Sequence, residues 1–211
     1  MTFHVLIATV GRPTLQRMLD SLVLQLHPDD CLTIVFDGHS VAPVFDTSLF
    51  KCPVVTHCEP TALGYWGHGI RNKYAPLLEK RDFVMHADDD NIYLPDAFSQ
   101  LRTQCLDKNM LYVARVKQFG GTVGSELRIS KIDTGCGIIP YDLNLKSQWG
   151  SMHVGDGMFY EGLAKITTPT FLPTLIQYWR PSEAEADDVK QKNEALRHQS
   201  QGIHGEVAKD Q

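Results

Sequence analysis

The apolar run Phe83-Val84-Met85-His86-Ala87 ends abruptly on three aspartates, Asp88-Asp89-Asp90, and few folds accommodate such a junction. A short apolar stretch bounded by polar residues reads as a buried strand. Three adjacent carboxylates repel one another and cost stability unless a cation or hydrogen-bond donors compensate. Hard oxygen ligands suit Mg²⁺ or Mn²⁺, ions that keep coordination positions open for water and substrate phosphates. The run His86–Asn91 is therefore expected to form a divalent-metal and nucleotide-diphosphate site. An acidic turn with helix-capping aspartates is the bland alternative.

The rest of the chain supplies a frame for that junction. Phe3–Thr9 is an apolar strand ending at Gly11-Arg12-Pro13, and Thr14 is expected to cap a helix carrying Leu15, Met18, Leu19, Leu22 and Val23. Leu32–Phe36 is a second strand ending at Asp37-Gly38, and Val54–His57 is a third. A loop rich in glycine and aromatics follows, Gly64-Tyr65-Trp66-Gly67-His68-Gly69, then a helix from about Ile70 to Lys80. Pro95 opens another helix through Phe98 and Leu101, and strands are expected at Met110–Val116, Arg128–Ile132 and Gly137–Ile139. This alternation predicts an α/β fold with a mostly parallel, Rossmann-like central sheet flanked by helices.

Composition bounds the function. At 211 residues the chain suits one domain, and a hydrophobic fraction of 43% can fill its core. A net charge of −5 with scattered Lys and Arg argues against a nucleic-acid partner. The five cysteines are odd in number and show no Cys-x-x-Cys, which predicts free thiols in a reducing compartment. Neither a signal peptide nor a run of about 20 apolar residues is seen, so a cytoplasmic location without a membrane span is expected. Character changes at Pro181: residues 1–180 read as the main folded domain. Residues 181–211 read as a charged helix and tail opened by a Ser182–Glu185 capping box, a linker or docking element.

In open α/β sheets, ligands gather at the carboxyl ends of the strands, where Thr9, Arg12, Asp37 and Asp88–Asp90 all fall. Asp37 could accept hydrogen bonds from a uracil or ribose, or simply make an Asp-Gly turn. Arg12 could stack on a base or pair with phosphate. Arg71 could neutralise diphosphate, hold one aspartate, or make an ordinary surface salt bridge.

In this order the residues resemble the GT-A class of glycosyltransferases over residues 3–165. Family-2-type members open with strand, Thr-x-x-Arg, helix and strand-Asp, as Thr9, Arg12 and Asp37 do. They continue with a glycine-containing loop, an Arg-Asn helix and an Asp-x-Asp strand end, as Gly64–Gly69, Arg71-Asn72 and Asp88–Asp90 do. The string Ala87–Tyr93 is also similar to that of animal glucuronyltransferases. That pattern implies that Asp90 binds the metal and Asp89 the ribose, with Asp88 in support. Asp133–Gly137 resembles the acceptor-side glycine segment of inverting members. Gly155–Tyr160 resembles their acidic element, which carries the role of catalytic base onto Asp156, with a helix N-cap as the alternative. His204 is a candidate late metal ligand, His153 a candidate contact to acceptor or diphosphate, and Tyr65, Trp66 and Trp149 candidate sugar-stacking rings.

The resemblance implies transfer of a sugar from a UDP-sugar to a glycan or glycoprotein hydroxyl, with Mn²⁺ or Mg²⁺ and inversion at the anomeric carbon. A retaining hexosyltransferase of the same fold would carry the same metal site. Gly11-Arg12-Pro13 leaves open a sugar-phosphate nucleotidyltransferase, and a module that only binds nucleotide or glycan is a third reading. The short domain with a terminal helix also resembles glycosyltransferase modules of large DNA viruses that glycosylate their capsid proteins in host cytoplasm.

Overall fold

A computed structural model describes the backbone of residues 1–206 and the side chains up to residue 198. Four strands build the first half of the sheet: β1 (Phe3–Thr9), β2 (Cys31–Asp37), β3 (Val54–Glu59) and β4 (Phe83–Asp88). They lie in the order β3-β2-β1-β4 and pair in parallel throughout. Every residue of β1 and β2 is buried, as expected of strands covered on both faces. The chain winds outward from β1 through β2 to β3, then returns to the other side of β1 to make β4. The strand order thus reverses between β1 and β4, the place where α/β sheets open a crevice. Register aligns the strand ends there, Thr9 opposite Phe36 and Ala8 opposite Asp88.

Helix α1 (Thr14–Leu22) packs Leu15, Met18, Leu19 and Leu22 onto one face of this block, against Phe3, Ile7 and Phe36. Helix α2 (His68–Tyr74) covers the other face with Ile70 and Tyr74 against Leu6, Val35 and Val84. Thr14 does not cap α1. It is the first helical residue after Pro13, and its hydroxyl is buried without a partner. The helix predicted to reach Lys80 ends at Tyr74 and passes into a single 3-10 turn, Ala75–Leu77, because Pro76 cannot continue the hydrogen-bond ladder.

The second half contains β5 (Ile92–Tyr93), α3 (Ala97–Gln104), β6 (Tyr112–Gln118), β7 (Gly121–Val123), β8 (Gly137–Pro140), α4 (Tyr141–Asn144), α5 (Gly155–Ala164), β9 (Thr170–Tyr178) and α6 (Glu183–Glu206). The sheet continues from β4 through β8, β6 and β9 to β5, with β7 on β6. Strands β1 to β4, β6 and β9 run one way and β5, β7 and β8 oppose them, so the expected mixed α/β, mostly parallel sheet is the one observed. A third cluster, with Trp149, Phe159 and Tyr160 against Val113 and Ile139, seats α5.

Residues Arg128–Ile132, expected as a strand, form bends and turns. The nine-residue β9 has no counterpart among the predicted strands. It contains Pro173, which cannot donate to a ladder. The sheet tolerates it because pairing jumps from Val113↔Phe171 to Arg115↔Leu175, an irregularity that leaves Pro173 outside the register. The predicted capping box of α6 forms, Ser182 N donating to Glu185 at 2.9 Å and Glu185 N donating to Ser182 Oγ at 3.3 Å. The start of α6 is docked rather than solvated: Ala186 and Val189 are buried on Ile92. Among the described residues no helix is long and apolar enough to cross a membrane.

Candidate active site

A cavity of about 660 Å³ opens at the strand ends, between the β1/β4 crevice and the N-terminus of α5. Thr9, Arg12, Asp37, Gly64, Asp88, Asp89, Asp90, His153 and Asp156 all line it. Residues separated by up to 147 positions in the chain are thus brought to one concavity (Thr9 and Asp156 are the extremes). Of the other candidates, Arg71 lies beneath the wall, and the His204 side chain falls outside the described residues.

The three aspartates have three environments. Asp89 is buried at 1% exposure, accepting from the Thr9 hydroxyl and, at 2.7 Å, from Arg12 Nη1. Arg12 therefore binds carboxylate here, reaching Asp90 as well at 3.1 Å. Asp90 also receives Arg180 Nε at 2.8 Å. Burial, with the nearby Asp88 charge, still holds its carboxyl above the ordinary range. Asp88 accepts from Arg71 Nη2 at 2.5 Å. The outer members of the run do not belong to the site. His86 lies one step deeper on the same face of β4 as Asp88 and is fully buried, donating from Nε2 to Asn144 at 2.8 Å with Trp149 and Phe159 around it. Burial lowers its pKa to about 3, so the ring is neutral. Asn91 is buried and accepts from the Arg180 backbone N–H at 3.4 Å.

Arg71 settles its three readings in favour of a strut. Its side chain is fully buried. Nη2 bridges Asp88 and the Ala87 carbonyl, and Nη1 donates to the Trp66 carbonyl at 3.0 Å. Its guanidinium carbon sits 5.0 Å above the Trp149 ring. Asn72, next to it, clamps the Trp149 backbone through two 2.9 Å hydrogen bonds, tying α2 to the segment that leads into α5. Trp149 is a core residue stacked 4.4 Å from Phe159, so it offers no face to a sugar. Tyr65 does not reach the cavity, and Trp66 does.

Both oxygens of Asp37 accept backbone N–H groups, from Leu63 at 2.6 Å and Gly64 at 2.8 Å, so the carboxylate shapes the glycine loop as well as the cavity wall. Asp156 is not the N-cap of α5, which is Val154. It is the second helical residue, accepting from Gly157 N–H at 2.7 Å. Burial raises its pKa above the ordinary carboxylate range, with Asp88 adding to the shift. Asp133 lines the cavity as well, accepting from Gln118 at 2.9 Å, and burial with Asp88 pushes it up to about 7.

Sequence reasoning missed Arg180, Trp179, Gln118 and His68. The first two follow β9 directly, so the unrecognised strand concealed them. His68 lines the cavity with its ring neutral: Nδ1 donates to the Gly150 carbonyl at 2.8 Å, and burial lowers its pKa to about 4. Among the described residues no three His, Cys, Asp or Glu side chains form a closed metal cage. Asp88 and Asp90 nevertheless have the chemistry to suit a hard divalent ion: both carboxylates border the cavity, and Asp90 is held above the ordinary range first by burial and then by the Asp88 charge, both of which a cation would offset.

No family model matches the chain, and no curated protein matches it in sequence. Solved structures do match in shape. The crystal structure of S. aureus TarS 1-349 superposes with a TM-score of 0.64 at 15% identity, covering 85% of this chain and 60% of that one. The same protein in complex with UDP-GlcNAc gives 0.61 at 12% identity over 89% of this chain and 61% of that one. HddC from Yersinia pseudotuberculosis, complexed with GMP-PN, gives 0.53 at 13% identity over 90% of this chain and 98% of its own. The chain thus spans about 60% of the TarS fragment and nearly the whole length of HddC. At these identities the likeness establishes the fold alone, and that fold is GT-A: a mixed α/β, mostly parallel sheet flanked by helices.

Proposed function

We propose that the chain is a nucleotide-sugar glycosyltransferase, moving a sugar from a UDP-sugar to a glycan or glycoprotein hydroxyl with inversion at the anomeric carbon. One observation carries the reading: the Asp88–Asp90 carboxylates and the half-buried Asp156 face the same 660 Å³ cavity at the β1/β4 switch point. Support comes from TarS, a structure of the same fold solved with UDP and with UDP-GlcNAc.

In this reading Asp156 accepts the proton of the acceptor hydroxyl while its oxygen bonds to the anomeric carbon and the bond from that carbon to the diphosphate breaks. Arg12 and Arg180, whose side chains are 43% and 51% exposed, face the departing diphosphate. Thr9 holds Asp89 for the ribose. Asp90, with Asp88, would hold Mn²⁺ or Mg²⁺, which when bound supplies positive charge to the leaving group. Asp37 and Gly64 shape the wall beside the nucleoside. The unpaired cysteines suit a reducing compartment such as the cytoplasm.

Selective donor binding stabilises the folded state by mass action. Thermal melts are expected to rise with UDP and UDP-GlcNAc more than with GDP or CMP, and to rise further with Mn²⁺. Equal shifts for all nucleotides would remove UDP from the reading. The pH profile gives a second expected outcome. Asp156 works ionised, and its pKa is raised, so kcat/KM should climb with pH along an acid limb placed above the ordinary carboxylate value of about 4. Initial rates from pH 4 to 9 measure it, and a profile flat down to pH 4 would contradict the role.

HddC, matched over nearly its full length, favours a second reading, a sugar-phosphate nucleotidyltransferase. Pyrophosphate released from a nucleoside triphosphate and a sugar phosphate would identify it.

A further inference from the structure

Four successive residues, Gly64, Tyr65, Trp66 and Gly67, hold positive φ angles of 69°, 56°, 56° and 81°. Glycine adopts this region freely, whereas a residue with a Cβ enters it only at a cost. Such strain persists where the surroundings over-determine it, and it concentrates at sites of function. Here the surroundings are specific. Asp37 takes the N–H groups of Leu63 and Gly64, and Arg71 donates to the Trp66 carbonyl. Gly67 lies so close to β1 that a Cβ would meet the Ala8 Cβ at 2.7 Å. The loop is thereby pinned from both ends by side chains of the donor half of the site.

What the pinned loop delivers is one indole. Trp66 is 58% exposed, joins none of the core clusters, and lines the cavity. Its ring meets His153 at 5.2 Å and 88°, and His153 stands three residues before Asp156. The indole therefore lies on the side of the cavity where Asp156 would receive the acceptor. A large apolar ring kept in solvent by a strained backbone has no packing benefit to explain it.

We propose that Trp66 is the platform on which the ring of the acceptor stacks, and hence that the acceptor is a pyranoside presented through its axial C–H face. Naming the bound sugar the acceptor rests on the glycosyltransferase reading of Asp156. A pyranose carries hydroxyls around its rim and C–H bonds across its faces. A rigid, electron-rich indole covers such a face while leaving the rim to polar neighbours. Because the backbone fixes where the indole departs from the chain and His153 meets the ring edge-on, part of the ordering cost is met before the encounter.

Saturation-transfer NMR with methyl glucopyranosides, galactopyranosides and mannopyranosides tests this in the full chain with UDP present. Saturation is expected on the axial protons of at least one glycoside. It should vanish in Trp66→Ala and persist in Trp66→Phe and in Tyr65→Ala, whose ring does not reach the cavity. With a glycoside that serves as acceptor, Trp66→Ala should raise KM about 3- to 10-fold with kcat nearly unchanged. Trp66→Gly should raise Tm by roughly 2–4 °C as the left-handed strain is relieved. Signals retained in Trp66→Ala, or no glycoside signal in the wild type, would overturn the proposal, as would a marked fall in Tm for Trp66→Gly, which would make the ring a packing element. A wild type that fails to bind UDP refutes the donor reading, whereas the glycoside signals alone decide the platform.

Discussion

Replacing Asp156 by Asn is expected to lower kcat by about 10²- to 10⁴-fold, the range general-base catalysis contributes, while UDP-sugar binding is unchanged. The substitution is nearly isosteric, and the amide oxygen can still accept the 2.7 Å hydrogen bond from Gly157. Folding therefore gives no reason for a large loss, because Val154 rather than Asp156 caps α5. What Asn cannot do is take a proton. Single-turnover rates with pre-bound donor separate the two effects, and a variant that transfers sugar at the parental rate would remove Asp156 from the chemistry. If instead the first-formed product retained its anomeric configuration, the metal-side residues would keep their roles and Asp156 would lose its own.

The second large effect concerns stability. Arg71→Met removes a guanidinium with no solvent exposure that serves Asp88, the Ala87 carbonyl and the Trp66 carbonyl together. Removing one partner of a buried pair costs about 3–5 kcal/mol. Asp88, at 24% side-chain exposure, recovers some hydration, which places the expectation near about 3 kcal/mol. For a chain of this size that is a fall in Tm of roughly 6–12 °C. Arg71→Lys should recover little, since an ammonium cannot span three acceptors in a plane. Denaturant melts measure it. A loss under about 1 kcal/mol would show that Arg71 behaves as a surface pair and that the glycine loop stands without it.

The residues that reach the cavity from β1, β2 and β4 were legible because buried parallel strands are written as continuous apolar runs, and each ends on a polar residue. Thr9, Asp37 and Asp88 are therefore visible as strand ends before any contact is known. The C-terminal half is written differently. Strand β9 is exposed along much of its first half and contains Pro173, so neither period nor composition marks it, and Arg180 behind it went unseen. Depth along a strand is also invisible in a run of residues. His86 and Asp88 point to the same face of β4, yet Trp149 and Phe159 close over the first, whereas the second, at the strand end, meets Arg71 and borders the cavity. Likewise Trp66 and Trp149 both sit near glycines. Only packing separates the exposed ring at the cavity from the one stacked on Phe159.

The ion pairs around Asp90 join the two halves of the account. Arg12, from the turn after β1, and Arg180, from the turn after β9, both rest on this carboxylate. An incoming diphosphate offers the same guanidiniums a better partner, with bidentate geometry and higher charge. In the proposed mechanism this exchange would free Asp90 for a cation as the donor arrives.

Release of UDP from UDP-GlcNAc and other UDP-sugars, followed with Mn²⁺ present in the parent chain and in Asp90→Ala, tests the central claim most directly. UDP release by the parent is expected with at least one UDP-sugar, slow without acceptor and faster with one, and it should be lost both in Asp90→Ala and on chelation of the metal. UDP release that Asp90→Ala and chelation leave unchanged would contradict it. So would a parent chain inert towards every UDP-sugar that instead forms pyrophosphate from a nucleoside triphosphate and a sugar phosphate.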